Sequence, residues 1–377
     1  MTWLLLGLLA IAGAADAQLQ PASATQTRLT GSVLIAGGWG HSPTIELYDP
    51  ASGKFRVAGH MEMFFAGVEA IDLHGPQVLL LGGRRQDYYD APGGLLYDAR
   101  DGTFIEVGKN ITFGTCFAAA RLANGKVLIA GGLKIPEAGP PTVSDAFIFD
   151  PATRKFSATG AMAEPRCDAS ATLLKDGRVL IAGGSGTTPD SIASAEIYDP
   201  HRGKFIKAGR MRHGREQHSA TLLGDGTVLI AGGFEAASDG AVSFADAEIF
   251  DPATLRFKPA GALKAARGAH TATLLKNGDV LIVGGENRFR GDQVFASAEL
   301  YHPASGTFTP AGSMSAQRYS HTATLLGNGY VLIAGGATLH DWLASAELYD
   351  PANGRFIATG AMAHARYGQS AVVLGGR

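Results

Sequence analysis

The sequence predicts an all-β fold, a seven-bladed β-propeller built from four-stranded blades. An apolar strand ending in Gly-Gly occurs seven times in the 377 residues, and the second glycines are Gly38, Gly83, Gly132, Gly184, Gly233, Gly285 and Gly336. These glycines lie 45 to 52 residues apart, a period typical of stacked supersecondary units. Four short strands fit into each period, and four antiparallel strands form one propeller blade.

The composition limits the partners that the chain could bind. Hydrophobic residues make up 46% of the chain and charged residues 18%, which supplies a large core and excludes a disordered chain. The formal net charge is −2 and no basic run is present. We therefore expect neither nucleic acid nor an anionic membrane surface as a partner.

We expect residues 1–17 to be a secretory signal peptide, residues 18–30 a polar linker and residues 31–377 the propeller. The apolar run 4–13 is followed by Ala15-Asp16-Ala17, an A-x-A site with cleavage after Ala17. The run is shorter than the roughly 20 apolar residues that span a bilayer. The expected mature protein is secreted or periplasmic, without a transmembrane segment. The alternative is a buried N-terminal helix, since no Lys or Arg precedes the run.

The last full repeat shows how one blade is built. Residues 322–326 form a short strand, and the turn Asn328-Gly329 leads into the strand 331–336. Asn-Gly favours a tight hairpin because both residues tolerate positive φ. The second strand is apolar on both faces, as expected when a sheet is covered on each side. The third strand, 346–351, ends in Asp-Pro, and the fourth, 354–358, contains a phenylalanine.

The two ends of the repeat array predict a closed ring. The first repeat begins at the strand 33–36 and lacks an innermost strand, whereas the last repeat ends at Met362. The tail 366–374 repeats the pattern of residues 318–326. We expect this tail to join the N-terminal blade as its missing strand, since closure removes exposed sheet edges.

These features resemble the kelch-repeat family, in which Gly-Gly closes the second strand, Tyr-Asp-Pro ends the third and the fourth carries an aromatic residue. The phrases His-Thr-Ala-Thr-Leu-Leu and Val-Leu-Ile-Ala-Gly-Gly are most similar to bacterial kelch proteins and to the propeller of galactose oxidase. The resemblance covers residues 31–377. It implies a ligand face at the channel mouth and on the loops after Gly-Gly, in a family that includes enzymes and binding modules.

Five blades share an arginine 18 residues before the second glycine and a glutamate in the third strand. The five combinations are Arg166 with Glu196, Arg215 with Glu248, Arg267 with Glu299, Arg318 with Glu347, and Arg366 of the tail with Glu46. The second and third blades lack both charges. We expect a partly buried ion pair inside each blade, because losing one buried partner costs about 3–5 kcal/mol whereas losing both can be neutral. The alternative is a ring of ligand-binding arginines.

Polar residues also recur at the start of the innermost strands. His218, His270 and His321 lie 15 residues before the second glycine, and Gln369 occupies the equivalent place in the tail. They could form a ligand-binding rim or, through convergent imidazoles, a metal site. Alternatively, they are repeat residues that satisfy backbone groups. Since repetition alone explains their presence, we predict no metal and no cofactor.

The resemblance to galactose oxidase implies a copper site, but this sequence lacks several of the residues that such a site needs. Cys116 matches the cysteine that this family links to a tyrosine, but Asp168 stands where the partner tyrosine is expected. His321 lies near a family copper histidine, and Ser320 replaces the tyrosine before it. Copper-radical oxidation is therefore not expected.

The two cysteines, Cys116 and Cys167, open neighbouring blades one residue out of step. Because side chains alternate along a strand, each can point into the gap between blades three and four. Two cysteines in an exported chain favour a disulfide. Two separate buried thiols are the alternative.

The loops after Gly-Gly differ most between blades and are the best candidates for specific binding. One contains Arg84, Arg85, Tyr88 and Tyr89; two others contain Arg288 and Trp342. Charge combined with aromatic rings suits a carbohydrate, a peptide or a protein, although such loop tips can also be exposed without a function. We expect a monomeric, exported binding module with an unknown carbohydrate, peptide or protein ligand. The alternative is an enzyme of the galactose oxidase or sugar-isomerase kelch type.

Overall fold

Seven four-stranded antiparallel sheets are arranged in a ring. The computed structural model describes residues 29–40, 43–61, 67–83, 92–134, 142–188, 190–236, 242–288 and 293–375. The innermost strand of each blade contacts the innermost strands of the blades on either side, and these contacts run completely around a central channel. The predicted seven-bladed propeller is confirmed. The predicted signal peptide, residues 1–17, lies outside the described residues.

The strands of the seven blades follow one order from the channel outward. The innermost strands, for blades one to seven, are Ser370–Val373, Glu69–Asp72, Ala118–Arg121, Ser170–Leu173, Ser219–Leu222, Thr271–Leu274 and Thr322–Leu325. The second strands are Val33–Ala36, Gln77–Leu81, Val127–Ala130, Val179–Ala182, Val228–Ala231, Val280–Val283 and Val331–Ala334. The third strands are Thr44–Asp49, Pro92–Asp98, Ala146–Asp150, Ser194–Asp199, Asp246–Asp251, Ser297–His302 and Ala346–Asp350. The outermost strands are Lys54–His60, Thr103–Thr112, Lys155–Ala158, Lys204–Arg210, Arg256–Ala262, Thr307–Ser313 and Arg355–Ala358.

Two loops after Gly-Gly carry additional two-stranded ribbons. Phe234–Glu235 pairs with Val242–Ser243 in blade five, and Glu286–Asn287 pairs with Gln293–Val294 in blade six. No helix in the described part of the chain has the length and apolar character needed to cross a membrane. At the N-terminal end, Leu29 packs against the core of blade one, two residues before the predicted start of the propeller.

The C-terminal tail closes the ring as predicted. Strand Ser370–Val373 pairs antiparallel with Val33–Ala36, and Val33 lies opposite Val373. The pairing continues outside the strands, because the Trp39 amide donates to the Tyr367 carbonyl over 2.8 Å. Blade one is therefore assembled from both ends of the chain, and the tail strand covers the inner edge of Val33–Ala36.

The core lies between the blades. All four residues of Val33–Ala36 are fully buried, as the two-sided apolar pattern of the second strands predicts. Val33 and Ile35 of blade one belong to the same apolar cluster as Leu332 and Ala334 of blade seven. Each sheet is thus covered on both faces by its neighbours, which explains the near-continuous apolar sequence of the second strands.

Each of the five predicted arginines bonds to the predicted glutamate in its own blade. The Nη2 to Oε1 distances are 3.3 Å for Arg166 and Glu196, 3.3 Å for Arg215 and Glu248, 3.1 Å for Arg267 and Glu299, 3.3 Å for Arg318 and Glu347, and 2.9 Å for Arg366 and Glu46. The arginines are at most 1% exposed, so the pairs are more deeply buried than the sequence suggested. Each Nη1 also donates to a Gly-Gly carbonyl; Arg267, for example, donates to Gly284 over 2.9 Å.

Blade three fills the corresponding space with aromatic rings. Phe147 stands in the register position of the glutamate, opposite Ile129. Phe113, which is 2% exposed, packs edge-on against Phe147 with ring centroids 5.7 Å apart. An ion pair in one blade is therefore replaced by apolar packing in another blade of the same ring.

Candidate functional site

The channel opens at one end into a mouth cavity of about 330 Å³. It is lined by the residues that immediately precede or begin the innermost strands, from Gly67 and Glu69 in blade two to Gly368 and Gln369 in blade one. The loops after Gly-Gly lie beside this mouth, because Trp39 bridges to Tyr367 and Phe234 bridges to Glu216. A second cavity of about 630 Å³ runs from Glu69 along the innermost strands of blades two and three toward the other end of the channel. The sequence-predicted ligand face therefore surrounds the smaller cavity.

A ring of left-handed residues forms the rim of the mouth. One residue in each blade, at the same repeat position, has a φ between +48° and +76°: Gly67, Cys116, Asp168, Gln217, Ala269, Ser320 and Gly368. A non-glycine residue in this region stores about 1–3 kcal/mol of strain.

Backbone hydrogen bonds between blades hold this rim. The amides of Asp168, Ala269, Ser320 and Gly368 each donate to the rim carbonyl of the preceding blade over 2.8 to 3.0 Å. The strained conformation points these amides along the circumference, so the rim is a rigid frame for the side chains that it carries.

The three predicted histidines bond to neighbouring blades. The Nε2 atoms of His218, His270 and His321 lie 2.9 Å from the hydroxyl oxygens of Ser170, Ser219 and Thr271, each in the preceding blade. In the described chain, no imidazole belongs to a group of three metal-ligating side chains within 4.8 Å of one another. Gln369 occupies the fourth equivalent position, and its Nε2 donates to the Ala334 carbonyl over 2.8 Å.

Burial keeps the three imidazoles neutral. Burial, together with a smaller effect of the positive charge of the arginine three residues earlier, lowers the pKa of His218, His270 and His321 to about 3. The histidines therefore add no positive charge to the mouth at neutral pH.

Two carboxyl groups at the mouth were not found from the sequence. Glu69 begins the innermost strand of blade two, where the other blades have Ser, Thr or Ala. It is open to the channel water but enclosed by the surrounding strands. This enclosure raises the pKa of Glu69 to about 7, with a further contribution from the charge of Asp168. The only sequence signal was the departure from the repeat at this single position.

Asp168, a rim residue of blade four, is the second carboxyl group. Burial and the negative charge of Glu216 raise the pKa of Asp168 to about 6, against a smaller lowering by Arg288. Arg288, one of the predicted binding residues, donates from Nε to Glu286 over 2.8 Å and lies 4.5 Å from the centre of the Phe234 ring. Its charge is therefore already partly neutralised.

The two cysteines form a disulfide next to this carboxyl group. The Cα atoms of Cys116 and Cys167 are 5.0 Å apart, and the bond joins blades three and four at the rim. With Asp168 they are the only group of three possible metal ligands within 4.8 Å in the described residues. Because the sulfurs are bonded to each other, they are not free thiolates for a metal.

Residues 116–336 match the family described as the KLHDC2/KLHL20/DRC7 Kelch-repeats domain. The chain belongs to the kelch-repeat family. No curated protein matches it. The narrower resemblance to bacterial kelch proteins and galactose oxidase remains a prediction.

The mouth of this kelch propeller does not fit the copper-radical site of galactose oxidase. Cys116, the residue at the position of the cross-linked cysteine, is bonded to Cys167. Asp168 and Ser320 stand where the resemblance requires tyrosines. The donor set needed for that chemistry is therefore missing at these positions.

An aromatic cluster lies beside the mouth of the kelch propeller on blades one and seven. Tyr367 is the central ring, with centroid distances of 6.5 Å to Trp39, 5.7 Å to Trp342 and 6.2 Å to Tyr319. Trp39 is 41% exposed and Trp342 is 44% exposed. Trp342 was predicted as a binding residue, whereas the other three were not. The signal was again positional, since Tyr319 and Tyr367 are the only aromatic residues at their repeat position, whereas the position of Trp39 is also aromatic in blade five, at Phe234.

Four predicted binding residues, Arg84, Arg85, Tyr88 and Tyr89, lie outside the described residues. The five arginine–glutamate pairs lie inside the blades and do not line the mouth cavity. The candidate site therefore consists of the aromatic cluster together with the acidic mouth.

Proposed function

We propose that this kelch propeller is an exported binding module that holds a protein or peptide partner on the face around the channel mouth. The observation that carries the proposal is the aromatic cluster, in which two tryptophans are more than 40% exposed beside a rigid rim. Exposed aromatic residues are enriched at the energetic centres of protein interfaces. Kelch propellers are typically protein-binding modules, which supports a protein or peptide over a carbohydrate.

A peptide selection tests this proposal. Phage-displayed random peptides are selected for binding to the purified chain. Their affinities are then measured for the wild type and for the double variant Trp39→Ala, Trp342→Ala. We expect at least a tenfold loss of affinity, because truncating such a residue in an interface typically costs more than 1 kcal/mol. The matched control is Ile357→Ala, which removes a side chain that is 44% exposed on an outermost strand. Equal affinity for the double variant and the control would place the binding surface elsewhere.

The export part of the proposal is supported by the N-terminal sequence and by the disulfide, which persists in oxidising compartments. N-terminal sequencing of the chain recovered from medium or periplasm should begin at Gln18. Recovery of an intact Met1 form from the cytosol alone would contradict export.

A second candidate, a sugar-ring isomerase, is favoured by the two carboxyl groups. Acid–base catalysis works best with groups whose pKa lies near the working pH, and Glu69 and Asp168 have values of about 7 and 6. NMR of reducing sugars with the purified chain would detect accelerated ring opening. Acceleration abolished by Glu69→Gln would establish the enzyme and displace the binding module.

A further inference from the structure

We propose that the channel mouth receives a basic side chain, with arginine preferred over lysine, from the partner protein. This inference rests on the binding function proposed above and adds the chemistry of the group that is recognised. It is carried by the contents of the mouth cavity and by the aromatic cluster next to it.

As far as the described residues show, the mouth cavity offers hydrogen-bond acceptors and no cation. The described residues that line it include the carboxylates of Glu69 and Asp168 but neither lysine nor arginine. Gln369 lines the same cavity and is only 7% exposed. Its Nε2 donates to the Ala334 carbonyl, while its Oε1 is buried and has no hydrogen-bond partner among the residues that the structure describes. A buried acceptor without a donor is costly to the protein, and a donor-only group such as guanidinium or ammonium would satisfy it.

Within the described part of the chain, no positive charge fully offsets the two carboxyl groups of the mouth. Glu216 adds a further negative charge near Asp168, and the three histidines are neutral. Arg288 is the positive group that acts on Asp168, but it is paired with Glu286 and stacked on Phe234. Burial, more than the neighbouring charges, raises the pKa of Glu69 to about 7 and that of Asp168 to about 6, so both carboxyl groups hold protons into the neutral range. A cation bound between them would release those protons.

The neighbouring aromatic cluster favours guanidinium. Arginine stacks on aromatic faces as well as bonding to carboxylates in a planar arrangement, whereas the lysine ammonium is a compact, strongly hydrated charge. The cavity of about 330 Å³ is at the lower end of the range for small-ligand sites, which suits one side chain rather than a folded surface.

The test compares peptides that differ in charge but hardly in shape. From the peptides selected above, one that contains arginine is synthesised with arginine, lysine, citrulline or glutamate at that position. Fluorescence polarisation then measures the affinities at pH 6 and pH 8. We expect the arginine peptide to bind at least tenfold more tightly than the citrulline peptide, and more tightly at pH 8 than at pH 6. In Glu69→Gln with Asp168→Asn, both differences should disappear.

Two controls separate this inference from the proposed function. Asp341→Asn removes an exposed acidic group on the same face outside the cavity. This variant should still bind the arginine peptide more tightly than the citrulline peptide. Ethylguanidinium, which mimics the head of arginine, should lower the pKa of Glu69 followed by carboxyl NMR, whereas sodium at equal ionic strength should not.

The inference would be overturned if a peptide needs Trp39 and Trp342 for binding but has the same affinity with arginine and with citrulline. The proposed function would then still stand. An unchanged pKa of Glu69 in ethylguanidinium would also overturn the inference. If spermidine lowers this pKa and the arginine peptide does not compete with it, the occupant is a free polyamine rather than a partner protein.

Discussion

A fully buried arginine in each of five blades needs an explanation, because its charge is removed from water. Burial lowers the pKa of Arg267, and the charge of Glu299 only partly opposes this. The guanidinium also donates to the carbonyls of Gly284 and Ser297 over 2.9 and 3.1 Å. The arginine thus satisfies acceptors at the Gly-Gly turn where the chain leaves the sheet. We infer that its main contribution is to fix the geometry of this turn rather than to add net stability.

A double-mutant cycle tests this inference. Arg267→Met and Glu299→Leu should each destabilise the fold by about 3–5 kcal/mol, because each strands a buried charge. The loss of unfolding free energy in the double variant should be clearly smaller than the sum of the two single losses, because blade three folds with apolar packing in place of this ion pair. Urea unfolding of the four proteins gives the coupling energy. Arg202→Met is the control, since that side chain is 77% exposed and should change stability by less than about 1 kcal/mol. Additive losses in the cycle would contradict the pairing.

The carboxyl group of Glu69 should make stability depend on pH. Its pKa rises from 4.5 to about 7 on folding, so between these values the folded state holds a proton that the unfolded chain has released. Stability therefore falls as pH rises from about 4.5 to 7. Glu69→Gln should match the wild type near pH 4 and become progressively more stable up to pH 7, as measured by urea unfolding across this range. Parallel curves for the two proteins would contradict the raised pKa.

A buried histidine should give the opposite pH dependence of stability and serves as the control. The pKa of His270 falls from 6.5 to about 3, so the unfolded chain binds a proton that the folded state rejects. Stability is lost as pH falls below 6.5. His270→Gln, which copies the natural Gln369, should gain relative to the wild type only on this acid side.

At the level of single elements, the hairpin between the first two strands of a blade was predicted correctly. The physical reason differs in part from the one on which the prediction was based. The turn of the last repeat was predicted from Asn328-Gly329, and blade four has Asp176-Gly177 at the equivalent place. In the blade-four turn only the glycine, Gly177, has a positive φ of 86°. Asp176 acts through its side chain, which accepts the Arg178 amide over 3.0 Å. The hairpin was readable because both mechanisms select the same residue types.

The candidate site was harder to predict than the fold, for a physical reason. The residues that every blade needs recur in all seven repeats. The strands, the Gly-Gly turns and the ring closure could therefore be predicted from one sequence. Glu69 and Trp39 each occur once and deviate from a repeat position. Their significance depends on which neighbours the ring brings beside them, such as Asp168 from two blades away, and this requires the three-dimensional arrangement.

The disulfide between blades three and four is an element-scale constraint with a measurable effect. Cys116 and Cys167 are separated by 51 residues, and closing a loop of that size stabilises the fold by about 4 kcal/mol in the chain-entropy treatment. Cys116→Ala with Cys167→Ala should unfold at a correspondingly lower urea concentration. Reductant should lower the wild type to the level of the double variant and leave the variant unchanged. If the stability of the wild type does not change after its disulfide has been fully reduced, this stabilisation is contradicted.

At the scale of the whole molecule, the rim is rigid because three kinds of bond link one blade to the next. Backbone amides join successive left-handed residues, histidines reach hydroxyl groups of the preceding blade, and the disulfide joins blades three and four. All of these act along the circumference, so they depend on a complete ring. A partner that binds at the mouth would therefore meet a surface already held in place, which lowers the entropy cost of binding.

Ring closure by the tail is the condition on which this arrangement depends. A chain that ends before Arg366 loses the strand Ser370–Val373 and the Arg366–Glu46 pair. It also exposes the apolar edge of Val33–Ala36, and an unpaired edge invites association. We expect the truncated chain to lose its cooperative monomeric unfolding transition and to form oligomers in light scattering. A synthetic peptide of residues 363–375 added in trans should restore a monomer-sized complex and raise the melting temperature, whereas a scrambled peptide should not. A truncated chain that stays monomeric and melts like the intact protein would show that the ring does not need its closing strand.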